Sequence, residues 1–223
     1  GILRHTGPAF KTDPIRILRL ARFAAQLPTF QLASETALFV SEWIAQGALQ
    51  QIVIERVWRE CEKALMAPAP ERFFDLLQQW QAWAVIAPGL AASWPEGRAA
   101  LQAVVLQQGD LEQRVASLFL GDGFGALASQ AALTTGQQLG VPTALTQFAA
   151  LSVRYRRVIQ AGPTGRRPAH ALALLERLDA LRRTSRWLKL LALWQMVGIL
   201  SPAIGAAWTQ AVARVKQVPA EPL

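Results

Sequence analysis

Four charged side chains recur at every third position near the start of the sequence, within the stretch TDPIRILRLARF (residues 12–23). They are Asp13, Arg16, Arg19 and Arg22, and we call them the charged row. Residues three apart lie on one side of an α-helix, so the row forms one face. A carboxylate accepts hydrogen bonds and guanidinium groups donate them. The spacing therefore indicates a helix face that binds a ligand or another part of the protein.

The other chemically active residues are few. The sequence has two histidines, His5 and His170, and one cysteine, Cys61, and none of these has a partner at metal-ligand spacing. Motifs for serine hydrolases, P-loops, dinucleotide binding and two-metal phosphoryl transfer are missing from it. The stretch GDGFG (121–125) lacks the strand and the following Lys or Ser/Thr of a phosphate loop, so it predicts a turn between helices. The sequence predicts no catalytic residue and no metal ligand.

Composition and charge favour a globular protein with a polyanionic partner. Of 223 residues, 52% are hydrophobic and 17% are charged, and the formal net charge is +8. Residues 1–150 carry 11 basic and 12 acidic side chains, whereas residues 151–223 carry 12 and 3. Clustered cations favour nucleic acid ahead of a membrane, because phosphate contacts release counterions. The single cysteine is typical of a reducing compartment, which predicts a cytoplasmic protein.

Apolar residues at three- and four-residue spacing predict an all-α fold. The first helix is expected from Asp13, as N-cap, and Pro14 to about Gln26. Further helices are predicted, with Ser34 capping the first of them, over 34–47, 53–66, 70–83, 99–108, 110–120, 126–139, 143–160, 169–184, 186–199 and 203–217. The uncharged stretch 190–213 is interrupted at Gly198 and Pro202. It therefore predicts two buried helices, and no membrane span.

Two stretches resemble a known family. LRHTGPAFKTDPIRILRLARFAA (3–25) matches the motif E-D-x-x-R-x-x-R-x-x-R-F, and IERVWRECEKAL (54–65) matches E-R-x-x-x-E. Both motifs are typical of bacterial class II tRNA nucleotidyltransferases, the CCA-adding enzymes, and of their poly(A) polymerase relatives. The resemblance implies an all-helical neck (1–66), a body (67–160) and a basic tail (161–223). The body would be a degenerate HD-like helical region, because Gly121–Asp122 stands where some members have His-Asp.

In that family an Asp-Arg pair reads the incoming base, which implies this role for Asp13 and Arg16. Cytosine and adenine present an amino donor beside a ring-nitrogen acceptor, which a carboxylate and a guanidinium group match, whereas uracil and guanine do not. Arg19 and Arg22 would contact the base or triphosphate, or pair with acidic residues of the neck. The second motif implies that Glu55, Arg56 and Glu60 brace the nucleotide pocket.

The resemblance also implies partners: tRNA, ATP and CTP. The tRNA would be held by a group that we call the basic set, namely Arg154, Arg156, Arg157, Arg166, Arg167, Arg182, Arg183, Arg186 and Lys189. The start of the sequence is typical of mid-protein sequence, which predicts a fragment without the family's catalytic head. Mg²⁺ is then expected on that head, and the fragment alone should be inactive. The oligomeric state is left open.

One departure from the family pattern leaves alternatives. Thr12 stands where members usually have glutamate before the aspartate. A non-catalytic RNA-binding protein derived from the family is one alternative, and a poly(A) polymerase fragment is another. The first interpretation is the nucleotide-selecting and tRNA-binding part of an enzyme that adds C, C and A to tRNA 3′ ends.

Overall fold

The computed structural model describes residues 1–121, 128–164 and 167–218. Within these residues the protein is built from α-helices, as predicted, with one pair of two-residue parallel strands, β1 (Ile2–Leu3) and β2 (Gln31–Leu32). The helices are α1 (Ile15–Gln26), α2 (Ser34–Ala45), α3 (Ile54–Leu65), α4 (Glu71–Gln79), α5 (Ala82–Ile86), α6 (Pro88–Leu106), α7 (Leu111–Ser117), α8 (Ala128–Gln138), α9 (Thr143–Tyr155), α10 (Pro168–Arg177), α11 (Thr184–Met196) and α12 (Pro202–Gln217). Three 3₁₀ turns cover Pro8–Thr12, Ala48–Gln51 and Ile159–Ala161.

Helix α1 is the element that positions the charged row. Its apolar face is buried against α3 and α4, and the residues on that face are Ile15, Ile17, Leu18, Leu20, Ala21, Ala24 and Ala25. This arc is the one that the apolar spacing predicts. The arginines lie outside this arc, with Arg19 exposed and with Arg16 and Arg22 partly buried.

Two helix starts differ from the predicted caps. The Oδ1 atom of Asp13 accepts the amide of Ile15 at 3.2 Å, so the carboxylate binds the first turn of α1 although Pro14 is the residue that directly precedes it. Ser34 is the first residue of α2 rather than its N-cap, and Ala33 holds the cap position without a side-chain hydrogen bond. The prediction for Ser34 is therefore wrong.

The predicted helix over 70–83 is two helices. Gln81 adopts a left-handed backbone conformation with φ of 57°, and this ends α4 and begins α5. Trp83 then reaches back from α5, and its indole N–H donates to the carbonyl of Phe74 at 3.1 Å. The break places the tryptophan in the core, which a continuous amphipathic helix would not do.

Helix α6 begins eleven residues before the predicted 99–108 helix and runs through Pro95 and Gly97. A Cβ atom at Gly97 would lie 2.9 Å from the carbonyl oxygen of Leu118, which ends α7. Glycine thus allows α6 and the end of α7 to approach closely. The residue that lowers helix propensity in the sequence is required by packing in the structure.

The stretch 190–213 is divided between two helices, α11 and α12, as predicted. The prediction that both are buried is wrong for α12, in which only Gly205, Trp208 and Val212 are buried. Gly198, with φ of 72°, lies in the turn between them. In the described part of the chain we find no helix with the length and apolar character needed to cross a bilayer. The indole N–H of Trp194 donates to the carbonyl of Ser152, and that of Trp208 donates to the carbonyl of Ile159. These two bonds fasten the last helices to α9 and the turn after it.

The hydrophobic core is continuous among the described residues, from Ile15 on α1 to Val212 on α12. Helix α4, from the predicted body, packs on α1 of the predicted neck. Helix α11, from the predicted tail, packs on α6, α7 and α9. The hydrophobic core therefore continues across the predicted boundaries at residues 66 and 160. The division into neck, body and tail stays a prediction.

Candidate functional site

Asp13 is bound by a residue from the second motif. Arg56 on α3 reaches both oxygens of its carboxylate, with Nη1 3.2 Å from Oδ1 and Nη2 2.5 Å from Oδ2. The hydrogen bond from Arg56 is the main cause that holds the pKa of Asp13 below its ordinary value. The side chain of Asp13 is 29% exposed, so an ionised carboxylate with a fixed orientation remains accessible to solvent.

Glu60 joins the other end of the charged row to α3. Its Oε2 atom accepts from Nε of Arg22 at 2.6 Å, and its Oε1 atom accepts from Nε of Arg19 at 3.3 Å. The side chains of Glu60 and Arg22 are only 6% and 12% exposed, whereas that of Arg19 is half exposed. Arg22 also donates to Gln26. Arg22 is therefore a buried structural partner of Glu60, and Arg19 keeps part of its guanidinium group in solvent.

The guanidinium group of Arg16 makes no hydrogen bond to the carboxylate of Asp13, although the backbone amide of Arg16 donates to the backbone carbonyl of Asp13 at 3.1 Å. Its Nη1 atom donates to the carbonyl of Ala9, in the 3₁₀ turn before α1, and the hydroxyl of Thr12 donates to the same carbonyl at 2.9 Å. Arg16 is partly buried, at the same end of α1 as Asp13. The structure thus places the predicted base-reading residues at one end of the helix without a hydrogen bond between their side chains.

The residues of the second motif differ in their contacts and in their exposure to solvent. Arg56 and Glu60 bind the charged row, in line with the bracing role that the resemblance implies. Glu55 is exposed at the start of α3, and it makes no ion pair with another described residue. Trp58, between them in sequence, is 8% exposed and belongs to the core.

The basic set is not one uniform surface. Arg154, Arg157, Arg167 and Arg182 are exposed. Arg183 is exposed and pairs with Asp179 one turn earlier, at 3.1 Å. Arg166 lies outside the described residues. Arg156 is only 8% exposed, and its Nη1 atom donates to the carbonyls of Leu120 and Gly121. The structure therefore places Arg156 in the interior, away from the surface that its charge predicts.

Two members of the basic set are engaged by other helices. Lys189 on α11 lies 2.7 Å from a carboxylate oxygen of Asp110 and 3.1 Å from one of Glu112. The hydrogen bond to Asp110 is the main cause that raises the pKa of Lys189. Arg186 donates from Nη2 to the carbonyl of Leu178 at 2.8 Å. Both residues tie α11 to its neighbours, which charge counting does not reveal.

Two arginines that the sequence did not single out organise the surroundings of α1 and α3. Arg72 on α4 donates to the carbonyls of Leu27, Pro28 and Phe30, and so fastens the loop that follows α1. Arg114 on α7 donates to the carbonyls of Gly109 and Leu65. Desolvation lowers the pKa of Arg114. Their partners are backbone carbonyls, which carry no sequence signal, so spacing could not have found them.

In the described ranges, no three His, Cys, Asp or Glu side chains lie close enough together to hold a metal ion. Cys61 is buried, and burial is the main cause that raises the pKa of its thiol. Asp122, in the stretch that aligns with the His-Asp position, lies outside the described residues.

The sequence and the fold of this chain are similar to those of known proteins. Residues 29–93 match the profile described as "Probable RNA and SrmB- binding site of polymerase A". The chain is 35% identical to the multifunctional CCA protein of Nitrosococcus oceani over 216 residues, and 34% identical to the CCA-adding enzyme of Bordetella bronchiseptica over 221 residues. The alignments cover 84% and 98% of this chain. The relatives that align with most of this chain are CCA-adding enzymes.

The CCA-adding enzyme relatives are longer proteins. The alignments cover 53% and 56% of them, so the chain spans about half the length of the curated relatives that it matches. A solved tRNA nucleotidyltransferase, complexed with a primer tRNA and an incoming ATP analog, superposes with a TM-score of 0.60 at 16% identity. That superposition covers 97% of this chain and 63% of the other. It shows that the helical fold is shared.

Proposed function

We propose that this chain is the nucleotide-selecting and tRNA-binding part of a cytoplasmic tRNA nucleotidyltransferase that adds C, C and A to tRNA 3′ ends from CTP and ATP. The observation that carries the proposal is the alignment of nearly the whole chain with CCA-adding enzymes. In this proposal the catalytic step belongs to the part of the longer relatives with which this chain does not align, so the chain by itself is expected to be inactive.

Asp13 offers one hydrogen-bond acceptor to an incoming base. A carboxylate has about four lone-pair sites. Oδ1 uses two of them, for the amide of Ile15 and for Arg56, and Oδ2 uses one for Arg56. The remaining site on Oδ2 suits the exocyclic amino group that cytosine and adenine share. Since Arg56 keeps the carboxylate ionised, the site accepts a hydrogen bond and does not donate one to the carbonyl of uracil or guanine.

Arg16 is the proposed donor to the ring nitrogen of the base. A guanidinium group carries five N–H donors, and Arg16 uses one on the carbonyl of Ala9. Cytosine and adenine present an acceptor nitrogen next to the amino group, whereas uracil and guanine present an N–H there. A mismatched buried donor or acceptor costs about 1–3 kcal/mol. Two mismatches at once would give strong discrimination.

The tRNA is proposed to bind the exposed members of the basic set. Arg154, Arg157, Arg167 and Arg182 belong to α9, α10 and the adjoining turns. Arginine suits phosphate oxygens, and RNA duplexes are recognised mainly through shape and backbone. Mg²⁺ is proposed to bind the catalytic head of the enzyme, because the described side chains bring no three possible metal ligands together.

A poly(A) polymerase specificity is the second candidate. The family profile that matches residues 29–93 is described by reference to polymerase A, and this favours it. The two candidates differ in whether CTP is bound as well as ATP. A non-catalytic RNA-binding protein would show neither preference.

The test is calorimetric binding of ATP, CTP, GTP and UTP to the chain and to two variants. Asp13→Asn replaces the proposed acceptor. Asp75→Asn is the matched control, because Asp75 accepts a comparable arginine contact from Arg98, at 3.0 and 3.1 Å, elsewhere in the fold. The expected result is a preference for ATP and CTP that Asp13→Asn removes and Asp75→Asn keeps. Equal binding of all four nucleotides by the unaltered chain would refute nucleotide selection by this helix.

A further inference from the structure

A cavity of about 330 Å³ is lined by three arginines. It is bordered by α8, α9, α10 and α11. Arg154 on α9, Arg177 at the end of α10 and Arg186 on α11 all line it. The other lining residues, including Ser129 and Gln147, are uncharged, and no acidic residue is among the described residues that line the cavity.

The three arginines are not neutralised by the described protein. The side chain of Arg177 makes no ion pair or hydrogen bond with any described residue, and the guanidinium group of Arg154 has only a ring contact, 5.5 Å from the centre of the Tyr155 ring. Arg186 spends one donor on the carbonyl of Leu178, while its buried Nε–H group has no acceptor in the described part of the chain. A buried donor without an acceptor costs free energy, and so do like charges that line one cavity.

We propose that Arg154, Arg177 and Arg186 form a binding site for a phosphate group. An anion in the cavity would accept from the unpartnered Nε–H of Arg186 and from the guanidinium groups of Arg154 and Arg177. Charge-assisted bonds from arginine to phosphate oxygens are stronger than neutral ones and have a matching planar geometry. Three separate helices supply the arginines, so the site exists only in the folded protein.

The size of the cavity indicates more than a free ion. Ligand pockets begin at roughly 300 Å³, so the space admits a phosphate together with the sugar to which it is esterified. A nucleotide unit of an RNA backbone has this composition. The choice of RNA as the source of the phosphate rests on the proposed function, whereas the phosphate site itself does not.

The first experiment tests the site with inorganic phosphate alone. Phosphate replaces chloride at constant ionic strength, and the Nε–H resonances of the arginines are followed by NMR and assigned with Arg→Gln variants. Saturable shifts at Arg154, Arg177 and Arg186 are expected, and the shift at Arg186 should be lost in Arg154→Gln/Arg177→Gln. Arg59→Gln/Arg214→Gln removes the same charge from exposed arginines outside the cavity and should leave the shifts unchanged. Linear shifts of equal size at all arginines would overturn the proposal.

The second experiment identifies the source of the phosphate. A tRNA acceptor-stem hairpin is added to the phosphate-saturated chain, and its affinity is measured at several salt concentrations. If RNA supplies the phosphate, the hairpin displaces phosphate from the three arginines. Arg154→Gln/Arg177→Gln should then lower the salt slope of binding by about one. If the hairpin binds without displacing phosphate, RNA as the source is refuted. If it does not bind at all, the proposed function fails, and the phosphate titration still decides the site.

Discussion

Arg56 on α3 donates hydrogen bonds to both carboxylate oxygens of Asp13. Asp13 lies 43 residues earlier in the chain, just before α1 begins. The contact joins the two motifs through which the sequence resembles the CCA-adding enzymes. It leaves the carboxylate ionised, oriented and partly exposed. The base-reading role proposed for Asp13 therefore depends on a residue that would not itself contact the base.

Replacing Arg56 with glutamine should raise the pKa of Asp13 toward the ordinary 3.8. A lowered carboxyl pKa in the folded state stabilises the protein above the unfolded pKa, and this stabilisation is lost as the pH falls through the folded value. Arg56→Gln should therefore be less stable than the unaltered chain near pH 7, and the difference should disappear in acid. NMR titration of the Asp13 carboxyl carbon measures the pKa, and urea unfolding across pH measures stability.

Arg59→Gln is the matched control for that variant, because Arg59 is an exposed arginine on the same helix. It should leave the pKa of Asp13 where it is. An unchanged Asp13 pKa in Arg56→Gln would show that the arginine does not control the carboxylate in solution.

Replacing Glu60 with glutamine should destabilise the protein by about 1–3 kcal/mol, because the buried guanidinium group of Arg22 loses its charged partner. Urea unfolding at neutral pH measures the change. Glu55→Gln, at an exposed position on the same helix, should stay within about 0.5 kcal/mol of the unaltered chain. Equal effects of the two substitutions would contradict the structural role of Glu60.

Gly97→Ala should destabilise the protein by about 1–3 kcal/mol, because the added Cβ would lie 2.9 Å from the carbonyl oxygen of Leu118. Helix propensity alone gives the opposite sign, a stabilisation of about 0.5–1 kcal/mol. Thermal unfolding distinguishes the two. A higher melting temperature in Gly97→Ala would mean that α6 and the end of α7 can separate at little cost.

Lys189 and Arg182 should differ in their effect on tRNA binding. Lys189 is paired with Asp110 and Glu112, whereas Arg182 is exposed and has no ion pair within the described ranges. Arg182→Gln should weaken tRNA binding and reduce its salt slope by about one, and Lys189→Gln should do so less. Fluorescence anisotropy with labelled tRNA at several salt concentrations measures both. A larger loss of affinity in Lys189→Gln would reverse the assignment.

Lys189→Gln should also lower stability slightly, by about 0.5 kcal/mol, since the ion pairs are almost half exposed to solvent. The pKa of Lys189 is raised in the folded protein, so this stabilisation is present below the ordinary lysine pKa and is lost as the pH rises through the folded value. The difference between the two proteins should therefore shrink in strongly alkaline solution, which urea unfolding can measure.

Local patterns predict the helices well where one face is apolar and the ends are marked. The buried face of α1 follows directly from its spacing, and the interruption at Gly198 separates α11 from α12. The patterns fail where tertiary contacts override propensity. Gln81 takes a left-handed conformation that no local signal requires, and α6 continues through Gly97 because the end of α7 packs there.

The sequence predicts which residues belong to the candidate site better than it predicts which of them contact each other. The charged row and the second motif name the residues, but the pairing of Arg56 with Asp13 and of Glu60 with Arg22 depends on how α1 packs on α3. Charge alone misplaces Arg156, because its partners are backbone carbonyls. Arg177 belongs to no sequence motif, and its proposed role follows only from the cavity that it lines together with Arg154.

The double contact of Glu60 fixes the axial alignment of α1. One carboxylate meets two arginines three residues apart, and a helix advanced by one residue turns by about 100° and rises by about 1.5 Å. After such a slip neither Arg19 nor Arg22 would face Glu60. A slip of three residues would bring Arg16 and Arg19 to Glu60 instead, but it would separate Asp13 from Arg56. The contacts of Glu60 and of Asp13 together therefore select one setting of α1 on α3.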